Sequence, residues 1–151
     1  MTQKWMISMK YPTKKQILEL PRPTYPRGIM LLVSEWKTMF YKDWEINTNK
    51  ITHLTILANI IAHRMGKTQI FVFNNTKDYY SGDIPAIWLK EPYSVLSLLH
   101  ELAHHLFGED ELTACRWSVW LYQLRFRKDY EKLIWQEHML VKPSSPTKTK
   151  K

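Results

Sequence analysis

Two histidines and a glutamate stand close together in the segment His100-Glu101-Leu102-Ala103-His104. On an α-helix, residues four positions apart lie on one face, with their Cβ atoms about 5–6 Å apart. Two imidazoles at this spacing can both reach one metal ion, at about 2.0–2.1 Å from their nitrogens. His100 and His104 are therefore candidate metal ligands, and zinc is the expected ion because helical sites with this spacing bind it.

Glu101 follows His100 at about 100° around the helix, so we expect it to border the open side of the metal ion without binding it. There its carboxylate can accept a proton from water that the metal acidifies, and can pass that proton to a leaving amine. This chemistry needs an open coordination position, which a structural zinc site lacks. We therefore expect Zn²⁺ as the cofactor of a hydrolase, with Glu101 as its catalytic residue.

A capped helix is predicted to carry this motif. Ser94 can cap its N-terminus, and Gly108 is suited to end it. The apolar residues that flank the motif predict a buried face, and they are Leu98, Leu99, Leu102, Ala103 and Leu106. A further helix is expected after a short connection, from Asp110 or Glu111 to beyond Arg127.

The segments before residue 66 are predicted to form one strand and two helices. Residues 28–33 are a short apolar run that suits a buried strand, and a short aromatic helix is expected over residues 34–44. Apolar residues recur at steps of three and four from Ile51 to Met65, and Gly66 follows them, so a helix is predicted there.

Two strands are predicted between that helix and the motif. Residues 69–73 are dense in β-branched and aromatic side chains, and residues 84–89 form a second strand after a polar loop. Pro85 lies near the start of this second strand and favours an edge position in the sheet. The order of the elements predicts an α+β fold with a small sheet.

The net charge of +8 is concentrated at the two ends of the chain. Residues 1–27 hold six basic residues and one acidic residue, residues 142–151 hold four basic and none acidic, and residues 28–141 hold 12 basic and 13 acidic. We therefore predict a basic, proline-rich N-terminal arm (1–27), one domain (28–141) and a basic tail (142–151). The prolines predict an extended or irregular arm, and the tail is expected to be disordered because it has no apolar residue to bury.

The remaining composition indicates an intracellular globular protein. No stretch approaches the roughly 18 uninterrupted apolar residues of a membrane span, and the N-terminus lacks the apolar core of a secretory signal. Cys115 is the only cysteine, which excludes an internal disulfide framework. We expect a cytoplasmic protein that acts on a protein or peptide substrate. Nucleic-acid contact through the basic arms is an alternative that the distribution of charge does not favour.

The motif helix and the helix after it resemble those of the zincin metallopeptidases, specifically their gluzincin branch. In that branch a second helix supplies a glutamate as the third metal ligand. Residues 111–118, ELTACRWS, are similar to the E-x-x-A-N-x-F-A helix of ImmA/IrrE-type peptidases, and residues 84–89 resemble the edge strand on which zincins align substrate. The resemblance covers about residues 51–127. It implies a compact zincin-like domain and a zinc-dependent metallopeptidase, with His100, His104 and Glu111 as metal ligands.

The sequence departs from the family pattern at two places. Cys115 stands where relatives carry Asn, Asp or Glu to orient a ligand histidine, and a thiol is a weak acceptor. The connection from His104 to Glu111 is also shorter than in those relatives. It leaves Asp110 as an alternative third ligand, since some zincins place that ligand six residues after the second histidine. Glu111 is favoured over Asp110, and Glu109 ranks behind both.

Other polar residues near the motif have weaker assignments. His105 points about 100° away from its neighbour on the helix, so we expect it to pack or to donate a hydrogen bond. Tyr79, Tyr80 and Tyr122 could each stabilise an oxyanion, and the sequence does not select among them. A second hypothesis is a non-catalytic zincin-fold adaptor or nucleic-acid-associated protein that binds through its basic arms. Only the peptidase hypothesis requires Glu101.

Overall fold

The protein is described by a computed structural model that covers residues 11–42, 44, 48–136 and 139–142. The predictions for residues 1–10 and for the tail from residue 143 lie outside these described residues. The helices are α1 (Lys14–Leu18), α2 (Ile29–Trp36), α3 (Lys50–Arg64), α4 (Val95–Phe107), α5 (Glu111–Arg125) and α6 (Arg127–Glu131). The strands are β1 (Phe71–Asn75), β2 (Tyr79–Ser81), β3 (Ala86–Lys90), β4 (Ile134–Gln136) and β5 (Met139–Val141). The α+β class that the sequence predicts is confirmed.

Strand β3 lies in the middle of a mixed sheet in the described part of the chain. It pairs in parallel with β1 and antiparallel with β2. The prediction of an edge strand over residues 84–89 is therefore wrong, because part of the segment taken as a polar loop forms β2 and covers the other side. Pro85 lies just before β3, where its missing N–H does not interrupt the strand pairing.

Residues 28–33 lead into helix α2, so the prediction of a buried strand there is also wrong. The helix follows Gly28, whose φ is 94°, and continues into a π-helical turn, Lys37–Tyr41. Ile29, Val33 and Trp36 are buried and are spaced by four and three residues, as one face of a helix requires. A short apolar run cannot by itself distinguish a buried strand from a buried helix.

The helix α3, which the sequence places at residues 51–65, is confirmed at Lys50–Arg64. Its fully buried residues include Leu54, Leu57 and Ile61, and it packs against α2, α4 and β1. Helix α4 in turn packs against β2 and β3, and most extensively against α5. Helix α4, which carries the motif, is therefore held by contacts with the sheet and with the two helices α3 and α5.

Residues 11–27 include the helix α1, where the sequence predicts an extended or irregular segment. The helix begins after Thr13, whose side chain accepts a hydrogen bond in a capping box. Ile17 is 2% exposed and packs beside α5, from which Arg116 and Trp120 donate hydrogen bonds to the α1 backbone. The division of the chain at residues 27 and 142 stays a prediction.

The chain after α5 forms elements that the sequence patterns do not reveal. Helix α5 ends at Arg125, and the predicted continuation past Arg127 is the separate short helix α6, after a break at Phe126. Strands β4 and β5 then pair antiparallel. Within the described ranges, no helix combines the length and the apolar character that crossing a bilayer would need.

Candidate metal centre

Helix α4 presents His100 and His104 side by side. Their ring centroids are 5.1 Å apart, with an angle of 80° between the ring planes. The predicted cap is confirmed, since the hydroxyl of Ser94 accepts a hydrogen bond from the backbone N–H of Ser97 at 3.1 Å. The predicted buried face is confirmed as well, and it consists of Leu98, Leu99, Leu102, Ala103 and Leu106. Burial of that face sets the rotation of the helix and so the direction of both imidazoles.

Glu111, the first residue of α5, meets both histidines. Its Oε2 lies 2.9 Å from Nε2 of His100, and its Oε1 lies 3.2 Å from Nε2 of His104. The three side chains are between 15% and 30% exposed, so the cluster is reachable but not fully solvated. The structure thus brings together the three side chains that the sequence analysis named as metal ligands.

Asp110 and Glu109, the alternative third ligands, are placed differently. The Oδ2 of Asp110 accepts hydrogen bonds from the backbone N–H and the hydroxyl of Thr113, at 3.0 Å and 2.6 Å. Asp110 is therefore the N-cap of α5, a position at which aspartate is strongly preferred. Glu109 is exposed in the connection between the helices. This geometry favours Glu111 as the third ligand.

The second ring nitrogen of each histidine also has a neighbour. The Nδ1 of His104 donates to the carbonyl of Gly108 at 2.8 Å, because a carbonyl can only accept. The Nδ1 of His100 faces the Sγ of Cys115 at 3.9 Å, and the thiol also lies 3.8 Å from Oε2 of Glu111. Cys115 does stand beside a ligand histidine, as the family pattern implies, but the long contact supports the ring only weakly.

Cys115 is also a candidate metal ligand, through its Sγ atom. Single ligand atoms of His100, Glu111 and Cys115 lie within 4.8 Å of one another. Burial raises the pKa of the thiol to about 12, so without a metal it stays neutral. The thiol contacts His100 at Nδ1, whereas Glu111 contacts the two histidines at Nε2. Cys115 therefore lies on the Nδ1 side of the His100 ring, whereas His104 lies with Glu111 on its Nε2 side and stays a candidate ligand.

Glu111 and His104 form an ion pair in the metal-free protein. The hydrogen bond that His104 Nε2–H donates to the Glu111 carboxylate is the main cause that raises the pKa of His104 to about 8. Burial opposes ionisation of Glu111, but its hydrogen bonds with His100 and His104 outweigh burial and lower the pKa of this carboxyl to about 2. Both partners are consequently charged near neutral pH, and a metal ion must displace the proton of His104.

Glu101 lines a cleft beside His100. Burial raises the pKa of the Glu101 carboxyl, and the nearby His100 and His104 partly offset that effect. A carboxylate whose pKa lies above its usual range is a better proton acceptor at neutral pH. The position and the pKa of Glu101 both suit the general base that the sequence predicts.

Tyr11, which no sequence pattern indicates as a site residue, lines the same cleft as His100 and Glu101. Burial and then the charge of Glu111 raise the pKa of the Tyr11 phenol, so this side chain stays protonated and can donate a hydrogen bond. No local pattern around Tyr11 could have indicated this role, because it depends on how the N-terminal segment packs against α4 and α5.

The histidine and tyrosines with weaker assignments have other partners. His105 contacts the carbonyl of Thr68 through Nε2 at 2.9 Å, and the hydroxyl of Tyr80 through Nδ1 at 3.0 Å. Its predicted role in packing and hydrogen bonding is confirmed. Tyr79 stacks on a neighbouring ring of the sheet, and Tyr122 is buried in the core. Neither contact brings these two tyrosines to the histidine pair.

The centre has to be interpreted from its own residues. No protein-family model matches the chain, and no curated protein or solved structure is significantly similar to it. The resemblance to ImmA/IrrE-type zincins therefore stays a prediction. What the described structure provides is two imidazole nitrogens and one carboxylate that meet at the junction of α4 and α5.

Proposed function

We propose that the protein is a zinc-dependent metallopeptidase of the gluzincin type, which hydrolyses peptide bonds of a protein or peptide substrate. His100, His104 and Glu111 hold the metal, and Glu101 is the general base. The observation that carries the proposal is the carboxylate of Glu111, which lies 2.9 Å and 3.2 Å from the Nε2 atoms of the two histidines. Two histidines and one glutamate are a ligand set of catalytic zinc sites.

Two imidazole nitrogens and one carboxylate suit zinc, both in the number of ligands and in the kind of donor atom. Three protein ligands leave the fourth position of a tetrahedral ion open, as catalysis requires. The Nδ1–H of His104 is held by the Gly108 carbonyl, which fixes the ring with Nε2 towards Glu111. The weak thiol contact of Cys115 leaves His100 with less support, so His104 is the better oriented of the two histidines.

In the proposed reaction, the metal ion and the side chain of Glu101 have different roles. Zinc held by these ligands would supply Lewis acidity, which would polarise a peptide carbonyl and lower the pKa of water. Glu101 accepts the proton of the attacking water on its carboxylate and delivers it to the nitrogen of the leaving amine. Without a metal ion, burial raises the pKa of this carboxyl, which favours uptake of the proton.

Metal content and cleavage test this proposal directly. Elemental analysis of protein purified without chelators should give about one zinc per chain, as a single three-ligand site implies. Digestion of an unbiased peptide library, followed by mass spectrometry, should give cleavage that stops with a chelator and returns with zinc. Protein that contains no metal and binds none after zinc is added would contradict the metal centre.

Zinc affinity should rise with pH up to about 8 and then level off. In the metal-free protein, the hydrogen bond that His104 donates to the Glu111 carboxylate raises the pKa of His104 from 6.5 to about 8, and this proton must leave before zinc binds. Each pH unit below about 8 should weaken binding by up to about tenfold, as for one displaced proton. Competition with a chelator of known pH dependence, from about pH 6 to about pH 9, measures this slope.

The stability of the metal-free protein should follow the opposite trend. A folded-state pKa raised from 6.5 to about 8 stabilises the fold fully below pH 6.5, and this contribution is lost as the pH rises through 8. The melting temperature of chelator-treated protein should therefore decrease as the pH is raised from 6.5 to about 8. The melting temperature of zinc-loaded protein should not decrease over this range. If the melting temperatures of the two forms changed with pH in the same way, the result would argue against the ion pair between His104 and Glu111.

Gly108→Ala should destabilise the protein and weaken zinc binding together. Gly108 has φ 100° and ψ −162°, a conformation that is essentially confined to glycine and costs other residues about 1–3 kcal/mol. A Cβ at Gly108 meets no atom within 4 Å, so the effect comes from the backbone alone. Movement of the Gly108 carbonyl would also release Nδ1 of His104. Thermal denaturation and zinc titration measure the two effects.

Gly66→Ala is the matched control for this variant. Gly66 also has a positive φ, 74°, and open space where a Cβ would stand, but it follows α3 on another part of the fold. It should lower the melting temperature and leave zinc affinity unchanged. A loss of zinc in both variants would show that zinc binding follows overall stability and not the turn at Gly108.

A further inference from the structure

A cleft of about 190 Å³ adjoins the candidate metal centre. His100 and Glu101 form part of its lining, so a group bound in the cleft lies next to the reacting atoms. Sites that enclose whole small molecules usually measure about 300–1,000 Å³. The cleft is smaller than that range and suits a single side chain of a longer substrate.

One part of the cleft lining is a second apolar cluster, which meets the main core at Leu96, and the rest of the lining includes the polar residues Asp78, Ser97 and Ser118. Ile17 and Val119 are buried in this cluster, and of the five partly buried side chains that pack against it, three also line the cleft. These are Leu96, Trp135 and Leu140. Ile17 and Val119 line the cleft with these three, so it offers an apolar side chain both contact and removal from water.

Two walls of the cleft come from segments near the ends of the chain. Ile17 belongs to α1, whereas Trp135 and Leu140 belong to β4 and β5. The Nζ of Lys14 lies 5.7 Å from the ring centroid of Trp135, within reach of a cation–π interaction that joins the two segments. The walls thus also support each other.

Arg116 on α5 fixes the N-terminal wall. Its guanidinium donates to backbone carbonyls at the end of α1 and just beyond, where a helix leaves carbonyls without partners. These are the carbonyls of Gln16 (3.0 Å), Ile17 (3.0 Å), Glu19 (2.6 Å) and Pro21 (2.5 Å). The indole N–H of Trp120 adds a hydrogen bond to Ile17 at 3.1 Å. The helix that supplies Glu111 therefore also holds a wall of the cleft in place.

We propose that this cleft is the subsite for a bulky apolar side chain beside the scissile bond, and that the two terminal segments determine this specificity. The inference rests on the proposed peptidase function and names its substrate class. Asp78, a polar residue of the lining, already accepts a hydrogen bond from the backbone N–H of Lys90 at 2.7 Å. A charged substrate side chain would lose hydration among the apolar walls, and an acidic one would also meet Glu101.

Matched peptides test the preference of the cleft. A cleaved sequence from the library digest is varied at each position flanking the scissile bond, with Leu, Ala, Asp or Lys. At one of these positions, kcat/KM for Leu should exceed that for Ala by at least about tenfold, as for lost methylenes in an apolar pocket. Asp and Lys should be poorer still. Efficient cleavage with no such preference, or with a preference for Lys, would overturn the inference and leave the peptidase proposal standing.

Variants of the lining should move the preference in opposite directions. Ser97→Leu fills the cleft and should favour Ala over Leu in the substrate, whereas Leu96→Ala widens it and should favour Phe over Leu. Ser97→Ala is the control, since it changes the volume little, and it should keep the original preference. A loss of folding would lower cleavage of all peptides, so it cannot shift the substrate preference in opposite directions in the two variants. Identical preferences in all variants that retain zinc would show that the cleft does not receive the side chain.

A binding measurement separates the subsite from catalysis. Zinc-loaded Glu101→Gln protein should bind the Leu peptide at least about tenfold more tightly than the Asp peptide, measured by calorimetry. Arg116→Ala should reduce this ratio while zinc content is retained, and Ile17→Ala serves as a second variant if Arg116→Ala is unstable. An unchanged ratio in both variants would remove the terminal segments from the inference. Wild-type protein that binds no zinc and cleaves no peptide would overturn the peptidase function and this subsite together.

Discussion

Replacing Glu101 with glutamine should leave zinc bound and reduce peptide hydrolysis by about 10²–10⁴-fold, the usual contribution of general acid–base catalysis. Glutamine keeps the size of the side chain and its place on α4 but cannot take up the proton. Zinc should remain, because Glu101 lines the cleft and the ligand cluster consists of other residues. The measurement is kcat/KM on a peptide found by library digestion, together with zinc content.

Glu109→Gln is the matched control for Glu101→Gln. It makes the same chemical change at an exposed residue in the connection between α4 and α5. Its activity should stay close to that of the wild type, which would exclude a general effect of removing negative charge near the centre. If wild type and Glu101→Gln are equally inactive on a broad library while both hold zinc, the adaptor hypothesis gains support over the peptidase.

Glu111→Gln should weaken zinc binding by more than the roughly 10–100-fold that loss of a residue supporting a ligand costs. The substitution removes the anionic donor that contacts both histidines at 2.9 Å and 3.2 Å. Activity should fall in parallel at limiting zinc. His100→Ala and His104→Ala should each abolish stoichiometric binding. Zinc competition with a chromogenic chelator ranks all these variants on one scale.

Asp110→Asn is the matched control for Glu111→Gln. Asparagine is as good an N-cap as aspartate, so α5 should begin at the same residue and zinc affinity should change little. The reverse result, with metal lost in Asp110→Asn and kept in Glu111→Gln, would assign the third ligand to the neighbouring residue. Equal loss in both variants would indicate that the negative charge at the start of α5 matters more than either carboxylate.

Local patterns are sufficient to predict the helix that carries the site. Ser94 and Gly108 mark the ends of α4, and an apolar face sets its rotation, so the positions of His100 and His104 follow from the sequence alone. The sequence could predict Glu111 as the third metal ligand only with Asp110 as an alternative. The choice depends on the turn at Gly108, whose backbone conformation cannot be derived from the neighbouring side chains.

The features that the sequence did not predict all depend on distant packing. Residues 28–33 carry the apolar character of a strand, and burial of Ile29 and Val33 in a helix–helix contact makes them helical. Strand β2 is only three residues long, which is too short for a pattern to be recognised before it pairs with β3. The cleft likewise requires Ile17 to meet α5, through a hydrogen bond with Arg116 that spans 99 residues.

The turn between α4 and α5 separates two functions along the chain. All three proposed ligands lie within residues 100–111, so the centre can assemble from one helical hairpin with little loss of chain entropy on closure. The walls of the proposed substrate cleft come instead from opposite ends of the sequence, so the cleft forms only through contacts between residues far apart in the chain. On the proposed function, insertions, truncations or exchanges at either terminus would therefore change the substrate preference, while the hairpin would keep the three proposed ligands together.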